Sequence, residues 1–508
     1  MKKKFSNLRL DNINLNKLKE IDYKELINRA PINFIFISFF FLMLFGRAFT
    51  GLIFFGFRLG ELLIGLGLIL SLGIFFINKD NKYLHGNTIT NIHKLIIVFF
   101  LVPFYFSGAS ALDTYTYKSS TYIWTIAFIY LGFFLFKDNN SNLLFNLMGY
   151  VLPIVYFFKT FIFPNFIFNF FKTYGDRFDY IKASDVLLLF VLINFLNKKL
   201  IADETKRFYS FAISLGFFAP LMSFMSRGGF ISLVVYAIIE FFQLRKFIIK
   251  NIVKFLIGLI ILGLCFSFST INVTSDFLHI INNVLDEIVE GEYIKQIFPD
   301  IDIKISLDWL NFGAKVAEPS PPTELTTEQI LENAKQVGNR RGQNILSLFT
   351  FGSFSLDVGA SGYRFYSEEP LANWRLQLWQ DIIDDMATKD LIYTGYGYKE
   401  IIPAMTLEDN NGNDSTNENV HNYFVQSFAR GGLIHLILLL LFHLSILIYW
   451  KRKYGNLKII QYMMPVLLVS SFDPSMESVR FPLIYYTFLG FFLKTGLESS
   501  KLNEIESK

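Results

Sequence analysis

Residues 419–443, reading NVHNYFVQSFARGGLIHLILLLLFH, pass from a polar stretch into a long apolar run, and His421 and Asn422 stand where the change occurs. From Phe424 onward the run is long enough to enter a bilayer, so His421 is expected at a water–lipid boundary. An imidazole that titrates near neutrality can take a proton from a hydroxyl at physiological pH, which is the work of a general base. The plainer reading is an interfacial histidine that merely caps a helix, and spacing alone does not separate the two. Asp473 and Glu477, in FDPSMESVR, are alternative bases.

The elements that must position these groups are membrane helices. The chain has 508 residues, of which 52% are hydrophobic and 18% aromatic, with 60 Phe, and a soluble protein of this size would not tolerate that surface. Measured against the roughly 20 residues needed to cross a bilayer, apolar runs fall at 31–49, 57–77, 92–111, 122–136, 143–163, 184–196, 208–225, 229–243, 248–269, 423–450, 459–472 and 481–493. The fold class expected is an all-α polytopic membrane protein of about twelve transmembrane helices, with one large, mostly helical loop outside the cytoplasm. Its domains are a basic, amphipathic N-terminus (1–30), nine helices (31–270), the loop (271–420), three helices (421–494) and a short tail (495–508). MKKK is followed by a polar segment with Leu15, Leu18, Ile21 and Leu26 near helical spacing, which reads as a surface-lying leader rather than a signal peptide.

Charge sets the orientation. NKDNKYLHGNTITNIHK, NKKLIADETKR, QLRKFIIK and KRKYGNLK all fall on one side if the N-terminus is cytoplasmic. Residues 271–420 carry 24 acidic and 10 basic side chains, net −14 in a chain of net +4, and lie on the other side, periplasmic or extracellular. Five arginines break the rule by mapping to outer helix ends or short outer loops: Arg47, Arg58, Arg177, Arg227 and Arg480. A guanidinium binds phosphate oxygens bidentately and keeps its charge. The competing reading is snorkelling anchors or ion pairs, with Arg58–Glu61 and Glu477–Arg480 each three apart.

Within the loop, NVLDEIVEGEYIKQIF, the capped stretch after EPSPP, and NWRLQLWQDIIDDMAT are expected to be helical, and SGYRFYSEEP irregular. LEDNNGNDSTNEN, just before His421, has the composition of a mobile lid. The single cysteine, Cys265, excludes an intramolecular disulfide and a cysteine metal site. His435 and His443 lie eight apart on one helix, roughly 12 Å along its axis, too far to share a metal. No P-loop, GxGxxG or DxD motif stands out, and nothing points to nucleic acid.

HNYFVQSFARGG resembles the HN-x-x-L-x-x-x-x-x-x-G signature of the O-antigen ligase and O-antigen polymerase superfamily, polytopic membrane glycosyltransferases (GT-C-like). RLQLWQDIIDDMATKDLIYTGYGY (Arg375 to Tyr398) resembles that family's R-x-x-x-W helix and P-L-x-G-x-G turn, with the usual proline and leucine replaced. SRGG at Ser226–Gly229 resembles its SRG helix start. GDRFDYIKASD resembles its G-R-x loop, with KASD in place of an Asn-rich continuation.

The resemblance implies transfer of a glycan from a polyprenyl (undecaprenyl) diphosphate to an acceptor hydroxyl at the bacterial inner membrane, without metal or other cofactor. It makes His421 the catalytic base and Arg375, Arg227 and Arg177 donor-binding residues; Arg47, Arg58 and Arg480 join them by position alone. The partners implied are the lipid-linked oligosaccharide, a glycan or lipid-core acceptor, membrane lipid and other polysaccharide-export proteins. A surface-polysaccharide polymerase is favoured by the large aromatic loop (Trp309, Tyr363, Phe365, Tyr366, Trp374, Trp379). An O-antigen ligase, a protein oligosaccharyltransferase, and from other classes a transporter or flippase or a scaffolding subunit remain open. A transporter predicts matching halves and mid-membrane charges, and neither is visible.

Overall fold

The computed structural model describes residues 40–46, 48–54, 57–77, 87–108, 114–135, 163–164, 170, 173–175, 182–288, 310–311, 354–359, 362–367, 370–407, 420–478 and 480–497. Those residues are mostly helical. The helices are α1 (Leu59–Ile77), α2 (Asn87–Ser107), α3 (Phe128–Leu135), α4 (Ala183–Leu200), α5 (Glu204–Met225) and α6 (Arg227–Lys250). They continue with α7 (Ile252–Ile288), α8 (Pro370–Thr388), α9 (Tyr423–Tyr454), α10 (Ile460–Ser470) and α11 (Arg480–Thr495). The apolar run expected at 122–136 is broken, with Thr121–Trp124 α-helical and Thr125–Ala127 a 3₁₀ turn before α3. The run expected at 143–163 lies outside the described residues except Phe163, and so does most of the 271–420 loop, including the lid stretch.

By length and composition Ile252–Thr270 and Tyr423–Tyr454 can each cross a membrane; Leu59–Ser71, Thr121–Phe133 and Ile460–Ser470 are shorter apolar helices. The two long segments sit differently. On α7, Ile252, Val253, Leu256, Ile260, Leu264 and Phe268 are exposed, an apolar face that water would not stabilise. On α4, every side chain from Val186 to Asn197 is buried, as expected of a helix apolar all round.

Helices meet through small residues and polar side chains, the packing chemistry of membrane bundles. Gly216 on α5 lies against Cys265 and the Leu262 carbonyl of α7, so that a β-carbon there would stand 2.7 Å from each. Ser269 donates to the Phe217 carbonyl (2.8 Å) across the same contact. Gly132 on α3 and Gly490 on α11 rest on each other's helix backbone. Between α4 and α5, Ser214 donates to Asn194 (3.0 Å) and Asn197 to Ser210 (2.9 Å).

The helices α4, α6, α9 and α11 begin at one end of the bundle, where α5 and α10 finish. Ser226 alone joins α5 to α6, and its Oγ caps α6 by accepting from Gly229 N (3.2 Å). Gly228 leaves room for Phe472, just after α10, and Gly229 for Ala183 at the start of α4. At the opposite end Lys198 of α4 forms a buried ion pair with Glu240 of α6 (2.5 Å), and Gln461 of α10 hydrogen-bonds both.

Outside the bundle the structure corrects one expectation. Gly362–Ser367, read as irregular from SGYRFYSEEP, is a strand that pairs antiparallel with Phe354–Gly359, Gly359 opposite Gly362. FSLDVG and GYRFYS carry the aromatic and β-branched composition of paired strands. Two further two-residue strand pairs join Ile53–Phe54 to Phe57–Arg58 and Phe163–Pro164 to Leu310–Asn311. The helix expected over NWRLQLWQDIIDDMAT is α8, and α7 continues to Ile288, past the loop boundary expected at 270.

Candidate functional site

Asn422 caps α9, its Oδ1 accepting from Phe424 N (2.9 Å) and Val425 N (3.1 Å). This makes Asn422 the capping residue and leaves His421 outside the helix. His421 has φ +57°, a left-handed conformation shared among the described non-glycine residues only by Asp390. Two tryptophans of α8 frame it. Trp374 meets the imidazole edge-on at 5.4 Å, and Trp379 Nε1 donates to the Val420 carbonyl at 2.9 Å. Leu378, Ile382 and Met386 of α8 bury themselves against Val420, Ala429, Ile402 and Met405. That small core fixes α8 on the start of α9.

Arg375, in the turn of α8 beside Trp374, and Lys182, capping α4, both bring positive charge to His421, while Asp473 brings negative charge. Lys182 and Asp473 pair at 2.6 Å. Burial, then Arg375, hold the imidazole down at about 4, with Lys182 adding to the effect and Asp473 opposing it. The imidazole is therefore neutral at physiological pH. The positive ends of four helix dipoles face the same end of the bundle.

A broken helix locks this geometry. Gly432 interrupts α9 at φ +67°, ψ −168°, and residues 391–398, the TGYG turn with its approach, fill the break. Tyr396 N donates to Ala429 O (2.8 Å), Gly397 N to Arg430 O (2.8 Å), and Leu433 N to Ile392 O (2.8 Å). Gly395 passes the Arg430 carbonyl so closely that a β-carbon would sit 2.5 Å away. The strap also reaches α8, because Tyr396 donates its hydroxyl to Asp385 at 2.5 Å. Arg430, 1% exposed, rivets it: Nη1 donates to the carbonyls of Gly397 (3.1 Å) and Glu400 (2.6 Å), and Nη2 to Tyr115 Oη (3.0 Å).

The other expected site residues are placed as follows. Arg227 opens α6 at the same end of the bundle. Arg480 pairs through Nε with Asp185 at 2.6 Å rather than with Glu477, so its charge is already matched in this structure. Arg58 precedes α1, and Glu61 accepts its backbone N–H at 3.1 Å. Arg47 and Arg177 lie outside the described residues. Glu477 ends the 3₁₀ turn Pro474–Glu477 with both carboxyl oxygens buried. Burial pushes it up to about 8, against Arg430 and Lys182 and with Asp473, so it holds a proton at neutral pH. His435 and His443 are core residues of α9, bonded to Tyr398 Oη (3.0 Å) and the Leu439 carbonyl (2.9 Å).

Sequence reasoning passed over Lys182 and Arg430. KASD was the mismatch with the family pattern, yet it supplies Lys182 and Asp185, and each pairs with the 473–480 segment. Arg430 was marked by its sequence context, a lone charge about two turns inside an apolar helix.

The family described as O-antigen ligase matches residues 209–440, from α5 through the first half of α9. That match supports placing residues 209–440 in the O-antigen polymerase and ligase superfamily. That family is membrane-embedded and glycosyltransferase-like, which supports an enzymatic role here. No curated protein matches the chain.

The titration has a measurable consequence. For a general base at His421, held near 4, the acid limb of kcat/KM is expected near pH 4 rather than near 6.5. Arg375→Gln removes a positive charge, raises the imidazole and moves the limb to higher pH. Asp473→Asn removes a negative charge and moves it lower. A pH–rate profile of the three proteins checks both signs.

Proposed function

We propose that the protein transfers a glycan from a polyprenyl diphosphate to an acceptor hydroxyl, and that it is a surface-polysaccharide polymerase. The observation that carries this reading is a neutral, half-buried His421 set beside Arg375 and the Lys182–Asp473 pair at the end of the bundle where four helices begin. In this reading His421 removes the acceptor's proton as its oxygen attacks the anomeric carbon. Arg375 and Arg227 balance the charge that grows on the departing diphosphate. The anion also offsets the cations around His421, so the imidazole gains proton affinity when the donor is in place. Trp374, beside His421, offers a face on which a sugar ring stacks.

The chain lies in the bacterial inner membrane as about twelve helices with both termini cytoplasmic, and the site faces outward with residues 271–420. The exposed apolar face of α7 and the lysine-rich ends at Lys198–Lys199 and Lys451–Lys453 support that placement. The family description favours a second reading, ligation of finished glycan to a lipid core. Purified protein given a polyprenyl-diphosphate oligosaccharide, with and without lipid-core acceptor, separates the two. A ladder of products without core acceptor supports the polymerase; a single addition that requires the core supports the ligase. Movement of lipid across the bilayer with no transfer overturns both.

A further inference from the structure

The turn Pro474–Glu477 presents a buried carboxyl that the site as described does not use. Both Glu477 oxygens are sealed from solvent while other atoms of the residue reach the surface, and neither oxygen has a hydrogen-bond partner among the described residues. The charged and titratable groups facing it are Arg430 from α9, Tyr122 from the Thr121–Trp124 turn, Lys182 ahead of α4, and Asp473 on its own turn. Arg480, at the start of α11, is engaged with Asp185. Of the described cations that act on it, Arg430 gives Nη1 and Nη2 to two carbonyls and Tyr115, and Lys182 pairs with Asp473.

An ionised Glu477 would be a buried charge with no hydrogen bond to stabilise it. Its resting form is the acid, whose O–H has nothing to donate to among the described residues. Buried polar groups in folded proteins are nearly always satisfied, so the missing partner points to a bound molecule rich in acceptors. The Lys182–Asp473 pair acts on both Glu477 and His421, so both groups lie within electrostatic reach of one ion pair.

We propose that protonated Glu477 is a catalytic residue of the transfer site, donating a hydrogen bond to a diphosphate oxygen of the donor as the glycosyl bond breaks. The proposal rests on the transfer reaction proposed above. The bond from anomeric carbon to phosphate oxygen breaks and its electron pair stays with the diphosphate. The acceptor oxygen forms the new bond to that carbon, and its proton passes to His421. Glu477 keeps its own proton throughout, and its hydrogen bond strengthens as charge grows on the leaving oxygens. An ionised diphosphate offers acceptors only, which a carboxylic acid complements and a carboxylate repels.

The test compares the parent, Glu477→Gln and Glu477→Ala in transfer from a polyprenyl-diphosphate oligosaccharide between pH 6 and 10. The parent is expected to lose kcat/KM as pH rises through about 8. Glu477→Gln keeps a neutral donor of the same length, so it should stay within about tenfold of the parent at neutral pH and show no basic limb, whereas Glu477→Ala should lose about 10²-fold. A basic limb in Glu477→Gln like the parent's, or Gln as inactive as Ala while eluting as folded protein, overturns the proposal. If the parent transfers no glycan at all, the functional reading fails by itself. Binding of polyprenyl diphosphate in detergent then decides Glu477: affinity that falls above pH 8 in the parent and not in Glu477→Gln supports it, and pH-independent affinity in the parent overturns it.

Discussion

Replacing His421 with asparagine is expected to lower kcat for glycan transfer by about 10²–10⁴-fold, the contribution of a positioned general base, with donor affinity and thermal stability close to the parent's. Asparagine is the informative substitution because of the backbone. His421 sits at φ +57°, and asparagine adopts the left-handed region more readily than alanine or a branched residue. It keeps the polar contact with the boundary and removes the base. Alanine adopts that region less readily than histidine or asparagine, so lost activity in His421→Ala mixes two causes. A loss of kcat in His421→Asn at unchanged melting temperature assigns the effect to chemistry. Parental activity in that variant would return His421 to the role of a boundary residue ahead of the Asn422 cap.

Gly432→Ala should do more damage to the protein as a whole. Residues at φ +67°, ψ −168° occupy backbone space nearly reserved for glycine, at a strain of order 1–3 kcal/mol for anything else. The new β-carbon would also land on the Tyr393 carbonyl, and forced overpacking of that kind adds typically 1–3 kcal/mol. Relief requires the 391–398 strap to leave the break, which strands the carbonyls of Ala429 and Arg430 and the N–H of Leu433. Because Tyr396 ties the same strap to Asp385, α8 and its Arg375 should shift relative to His421. The expected result is a lower melting temperature in detergent together with an activity loss larger than instability explains. Gly65→Ala, where no atom stands within 4 Å of the new carbon, is the control and should behave as the parent. Equal melting temperatures for Gly432→Ala and Gly65→Ala would refute the strap's role.

The strap explains why parts of the site were hidden in the sequence. TGYG reads as an ordinary turn, and RGG as a weak spot in a helix. Their pairing unites residues more than thirty positions apart, and no local propensity encodes it. The hairpin at 354–367 was missed for a related reason, since SGYRFYSEEP taken without FSLDVG shows turn residues and no partner strand. Arg480 illustrates the converse. Its place at a helix start was legible, but the carboxylate that neutralises it comes from α4, 295 residues earlier.

What the sequence determined by itself was set by quantities that need no partner. Runs of apolar side chains long enough for a bilayer, the change from polar to apolar at His421, and the helical pattern over Arg375 each express local free energies of transfer and propensity. Tertiary structure alone decided the charge states and pairings: a neutral His421, a protonated Glu477, Lys182 on Asp473, and Arg430 buried among carbonyls. Those outcomes depend on burial and on Coulomb interactions that act over a few ångströms of space, and the chain brings the relevant groups that close only when α4, α8, α9 and the 473–480 turn are packed together.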